Sequence, residues 1–141
     1  MSAEVAAPPR KLPLLEPVSS FFWTSGESGT LSIQRCEACG HYQHPPLLLC
    51  TACLSDKVAP TPVSGRGTVK TFTINVEPWL PGLKVPFVYA VVELDEQVGI
   101  YMFTNIDAPV NAVSIGQAVE VYFEQHEDVW LPMFRPVKDA A

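Results

Sequence analysis

Residues 36–53 read CEACGHYQHPPLLLCTAC, and the rest of the chain is organised around this stretch. It holds all four cysteines of the 141-residue sequence as two Cys-x-x-Cys pairs, Cys36 with Cys39 and Cys50 with Cys53. Each pair sets two sulfurs on one tight turn, and two facing turns supply four. Four thiolates complete the tetrahedral shell of Zn²⁺ and leave no position open for water or substrate. Gly40, directly after Cys39, fits a knuckle in which a left-handed residue lets backbone N–H groups point at sulfur. The second turn has Leu54 at that place and is expected to be less regular. Two disulfides would need an oxidising compartment, and a redox Cys-x-x-Cys is ordinarily single and precedes a helix. Iron in the same four sulfurs is chemically possible, but one zinc per chain is the expectation. His41 and His44 lie between the pairs and are expected beside the metal shell, which the sulfurs already fill.

Upstream, residues 1–15 are Ala- and Pro-rich and read as an extended or frayed arm. Pro17 could open a short helix through Phe21, Phe22 and Trp23 that ends near Gly26. Residues 29–35 (GTLSIQR) alternate as a strand running into Cys36. Downstream the pattern is β throughout, with strands expected over 68–76, 85–94, 99–105, 119–124 and 130–137. In the first, Lys70, Phe72 and Ile74 share one side and Val69 takes the other. The last contains Pro132 and Pro136 and is expected to be a broken or edge strand. Residues 107–117 have room for one helical turn at most. The expected fold is mainly β: a short N-terminal helix, a zinc ribbon, then a five-stranded OB-type barrel. The expected divisions are 1–28 for the arm and helix, 29–63 for the ribbon and 64–141 for the barrel with its tail.

Composition narrows the function. Nine Lys and Arg stand against 15 Asp and Glu, a net charge of −6. That balance opposes a nucleic-acid module, although zinc ribbons and OB folds both occur in that class. It opposes a polybasic membrane anchor equally, and no apolar run is long enough to span a bilayer. The N-terminus has no basic start and apolar middle of a secretory signal, so the expected location is the cytoplasm. No phosphate loop, nucleophile elbow or zinc-protease motif occurs, and the carboxylates of Glu93-Leu94-Asp95-Glu96 read as solvated turn charges. No nucleophile, base and oxyanion donor can be assembled, which opposes a free-standing enzyme.

Taken in order, FFW at 21–23, GTLSIQRC at 29–36, the two Cys-x-x-Cys pairs with Pro45-Pro46 between them, GRGTVKTFT from Gly65, PFVYAVVEL and LPMFRPV form one pattern. The pattern covers residues 17–137 and resembles the domain-of-unknown-function 35 family, the acyl-CoA-associated proteins with a zinc ribbon and an OB fold. The resemblance implies a rubredoxin-like ribbon and a partner from the thiolase superfamily. Such a partner would be a thiolase, an acyltransferase of the hydroxymethylglutaryl-CoA synthase kind, or a lipid-transfer-protein-like aldolase of steroid side-chain degradation. It implies a non-catalytic subunit that binds, stabilises and activates this partner and helps shape its acyl-CoA site. If CoA reaches this chain its phosphates need cations, and Arg66, Lys70 and Lys84 are the candidates. For the partner contact the candidates are Trp79, Leu83, Trp130 and Phe134, because neighbouring prolines keep their backbones from full sheet pairing. Tyr89 and Tyr101, with Val91 and Phe103, give neighbouring strands a second apolar face that something must cover.

Overall fold

The computed structural model describes residues 10–138. Helix α1 (Ser20–Thr24) passes into a 3₁₀ turn (Ser25–Ser28) that ends at left-handed Gly29. So short a helix is held by what its aromatics touch. Phe22 is buried, edge-on to Trp23 at 4.8 Å and 4.5 Å from the His44 ring. Gly26 permits the turn's close approach to the barrel, since a Cβ there would lie 2.4 Å from the Phe123 ring and 2.6 Å from Trp130 Cβ.

The ribbon is a three-stranded antiparallel sheet of β1 (Ser32–Cys36), β2 (Tyr42–Gln43) and β3 (Val58–Pro62), in the order β2-β1-β3. Strand β3 is unforeseen because Pro60 and Pro62 interrupt its pattern. It pairs only with β1, so the proline nitrogens meet no second ladder.

The barrel is built from β4 (Arg66–Asn75), β5 (Phe87–Leu94), β6 (Tyr101–Ile106), β7 (Ala118–His126) and β8 (Val129–Pro136). It closes in the order β4-β5-β6-β8-β7, with β4 also pairing β7. The contact of β6 with β8 is parallel and the others are antiparallel, which is an OB-type barrel. Between β6 and β7 one 3₁₀ turn (Val110–Ala112) stands where many OB folds carry a helix. Val88, Ala90, Val92 and Leu94 of β5 and Met102 and Ile106 of β6 point inward as their alternation requires. Phe22, Leu31, Ile33 and Val63 join the same core, so helix, ribbon and barrel share one apolar interior.

Two expectations need correction. The register slips at Lys70, where Val69 faces Val92 but Thr71 faces Val91. This bulge turns Val69, Phe72 and Ile74 all toward the core, whereas strict alternation had opposed Val69 to the others. Strand β8 is unbroken, paired with β7 from Val129 to Pro136. The Pro132 and Phe134 carbonyls accept from Thr104 Oγ1 and the Asp107 N–H, so even-numbered residues turn their backbone groups toward β6. There the two strands share one register pair, and the missing proline donors leave the β7 ladder intact. Of the arm, Arg10–Leu12 are docked on the barrel without helix or strand, while the first nine residues lie outside the described residues. Among the described residues no helix is long and apolar enough to cross a membrane.

Candidate metal centre and the groove on the barrel

Each Cys-x-x-Cys closes on itself in the same way. The Gly40 N–H donates to the Cys36 carbonyl at 2.8 Å and the Leu54 N–H to that of Cys50 at 2.9 Å. The second knuckle is therefore as regular as the first, because Leu54 takes up the left-handed conformation, φ 67°, beside φ 82° at Gly40. The sulfur ligand atoms of Cys36, Cys39, Cys50 and Cys53 all lie within 4.8 Å of one another. Cys36 to Cys53 and Cys39 to Cys50 are each 3.6 Å, close to the ~3.8 Å edge of a tetrahedron with Zn–S arms of about 2.3 Å. Backbone N–H groups of Cys39 and Ala52 donate to the sulfurs of Cys36 and Cys50 at 3.4 and 3.3 Å. Led by the Cys39 N–H, such bonds outweigh burial and pull the Cys36 thiol down to about 7. The donor set fits one zinc held by four thiolates. The metal would stabilise the ribbon, and a shell of four protein ligands gives it no role on substrate.

Two buried glutamines, which carry no sequence signal for this role, hold the second knuckle in place. Gln34 Nε2 donates to the Leu47 carbonyl and its Oε1 accepts the Leu47 N–H, at 2.8 and 2.9 Å. Gln43 donates to Gln34 Oε1 and the Leu49 carbonyl, and accepts the Thr51 N–H next to Cys50. His41 stands near Thr51, and His44 packs on Phe22 with its Nδ1 buried and unpartnered. Burial lowers His44 to about 4, so it is neutral at pH 7.

The tip carboxylates and Gln97 bind structure. Glu93 accepts the Gly99 N–H and pairs with Lys70 at 3.9 Å, and Glu96 accepts the Ser64 N–H at 2.8 Å. The Gln97 amide takes both backbone groups of Tyr42 in β2.

The three candidate CoA cations are not brought together. Arg66 lies 3.9 Å from Glu120 and Lys70 is paired with Glu93, both outside the cavity that Lys84 lines. That cavity of about 700 Å³ lies between the proline-rich β4–β5 loop and the barrel wall, and Arg10 and Lys11 line it with Lys84. Trp79 and Leu83 also line it, Trp79 with 66% of its surface exposed. Trp130 is half-buried against Gly26. Phe134 is wholly buried in the barrel core and cannot meet a partner, which corrects its candidacy: on β8 it points inward while Val129, Leu131 and Met133 form a separate outer cluster. Tyr89, Tyr101 and Phe103 leave an exposed aromatic face on β5 and β6.

Arg10, which sequence reasoning passed over, crosses this wall. It donates to Glu124 and, at 3.1 Å, to Asn105 Oδ1. His126 Nε2 lies 2.8 Å from Glu124 Oε1. Burial raises the Glu124 carboxyl, but the bonds from His126 and Arg10 outweigh it and hold it below the usual carboxylate range. Burial, with Asp107 and Glu124 nearby, pushes the Tyr122 hydroxyl up to about 12.

Residues 23–59 match the family model of the ChsH2 rubredoxin-like zinc ribbon domain, and residues 60–124 that of the ChsH2 C-terminal OB-fold domain. The 3-oxo-4,17-pregnadiene-20-carboxyl-CoA hydratase alpha subunit of Mycobacterium tuberculosis is 37% identical over 122 residues, 84% of this chain and 37% of that protein. The benzoylsuccinyl-CoA thiolase subunit BbsA of Thauera aromatica is 28% identical over 100 residues, 66% of this chain and 69% of that protein. Among solved structures, the Ltp2-ChsH2(DUF35) aldolase is similar with a TM-score of 0.79 at 30% identity, covering 89% of this chain and 98% of that one. The chain spans about two fifths of the length of the hydratase alpha subunits it matches.

Proposed function

The chain belongs to the ChsH2 family of rubredoxin-like zinc ribbons joined to OB folds, and we propose on that footing that it is a non-catalytic accessory subunit. It binds, stabilises and activates a thiolase-superfamily enzyme that acts on an acyl-CoA. The observation that carries this reading is the closed four-thiolate centre: the strongest chemical feature of the chain is spent on structure, with no open metal position. Support comes from the company its relatives keep, an Ltp2-ChsH2(DUF35) aldolase and a benzoylsuccinyl-CoA thiolase subunit. A steroid side-chain aldolase is the finer proposal for the partner.

The contact is proposed to use Trp79 and Leu83 on the β4–β5 loop, with Trp130 contributing its uncovered edge. Trp79 is a large exposed aromatic of the kind that anchors interfaces. Lys84, with Lys11 on the same cavity, is the proposed place for a CoA phosphate to meet this chain. Purification of the tagged chain from its native host tests the reading. A thiolase-superfamily enzyme recovered in stoichiometric amount is the expected companion. Bound nucleic acid, or the chain alone, would contradict it.

A further inference from the structure

Two cavities lie on the outer wall of the barrel, and one residue from outside the wall stands in both. The first, of about 700 Å³, runs under the β4–β5 loop. The second, of about 540 Å³, is bounded by α1, by His44 of the ribbon and by β6 and β8. Their shared lining is Tyr89, Asn105 and Leu131, from β5, β6 and β8, together with Arg10. The three strand residues are floor to both cavities. Arg10 is the partition.

Two separate attachments hold it there. Arg10 donates to the Glu124 carboxylate and to Asn105, and only about a quarter of its side chain is exposed, 24%. Two residues on, Leu12 packs on the outer apolar cluster of Val129, Leu131 and Met133. The first attachment is charge-assisted and directional, the second apolar. Between them Lys11 stays exposed. The segment belongs to no strand or helix, and among the described residues these contacts are what hold it on the wall.

We propose that Arg10–Leu12 is a releasable strap that divides one groove into two. When Arg10 leaves Glu124 the cavities join into a single cleft floored by β5, β6 and β8, with Tyr89 and Phe103 along it. The exposed aromatic face is thus the open margin of a cleft whose middle the chain closes with its own arm. The strap needs no partner enzyme for its test, so its fate is separate from that of the accessory role.

The test uses the full chain and the variants Arg10→Ala, Glu124→Gln and Glu120→Gln. Glu120, elsewhere on β7, pairs with Arg66 of β4 and Arg135 of β8 and lines neither cavity, so its variant reports the loss of a β7 carboxylate and its ion pairs away from the strap. One readout is the rate of tryptic cleavage after Lys11, and the other is the fluorescence of an added anilinonaphthalene sulfonate. Arg10→Ala and Glu124→Gln are expected to raise cleavage at least tenfold and to increase dye binding, with Glu120→Gln like the parent. Arg10 lies outside every barrel strand, so its variant keeps the fold even if Glu124→Gln does not. Unchanged cleavage in Arg10→Ala, or faster cleavage with no gain in dye, would overturn the proposal.

Discussion

The side-chain amide of Gln97 pairs with both backbone groups of Tyr42: its Oε1 accepts the Tyr42 N–H and its Nε2 donates to the Tyr42 carbonyl, each at 2.9 Å. A residue at the β5–β6 hairpin tip thereby acts as a short extra strand for the ribbon. Gln97→Ala leaves two partly buried backbone groups unpaired and is expected to cost about 1–3 kcal/mol of ribbon docking. Hydrogen exchange checks it: amides of β1 and β2 should exchange faster while those of β5 and β7 keep their protection.

Leu54 holds a left-handed conformation that glycine adopts freely, and 72% of its surface is exposed. Leu54→Gly therefore gives up little burial and is expected to stabilise the zinc-loaded ribbon by about 1 kcal/mol, whereas Gly40→Ala costs about as much. Thermal unfolding of the loaded protein decides the sign of each.

The zinc content is expected to be one equivalent, bound by Cys36, Cys39, Cys50 and Cys53. Structural zinc contributes about 10 kcal/mol or more to the folding of such units, so Cys36→Ser should lose metal and ribbon together. Gln34→Leu keeps all four sulfurs but strands the Leu47 backbone, and should weaken zinc retention against a chelator. Well under one equivalent of metal, or disulfides in the native protein, contradicts the assignment.

His44 provides a pH signature. Burial against Phe22 keeps the folded form from taking a proton until about pH 4, while an unfolded histidine takes one near 6.5. The contribution of this residue is thus flat above pH 6.5 and falls as pH drops toward 4, by up to about 3 kcal/mol. In His44→Phe that share of the slope should vanish, read as the difference between the two stability curves over the window.

The metal centre was legible because thiolate chemistry fixes its own spacing, and the faces of β5 and β6 because both follow period two without interruption. What stayed hidden depends on contacts distant in sequence. Lys70 looks like any alternating residue until its bulge, and Pro60 and Pro62 disguise β3 because only pairing on one side makes them harmless. Pro132 and Pro136 suggest a broken strand with Phe134 free to face a partner; both prolines face the sparse β6 contact instead, and β8 runs through. Arg10 and Glu124 are 114 residues apart, beyond the reach of any local pattern.

Phe134 and Trp79 separate the fold from the proposed interface. Phe134→Ala empties a fully buried site and should cost about 3–5 kcal/mol of stability. Trp79→Ala should change stability by about 0.5 kcal/mol or less, yet weaken partner binding by about 2 kcal/mol. Thermal melts and a binding titration with the co-purified enzyme measure the two effects.

The accessory role itself is tested most directly by assaying that enzyme on its acyl-CoA substrate without this chain, with it, and with this chain alone. Turnover is expected to fall at least tenfold when the chain is left out, with none from the chain by itself. Full partner activity in its absence, or acyl-CoA turnover by this chain alone, would contradict it.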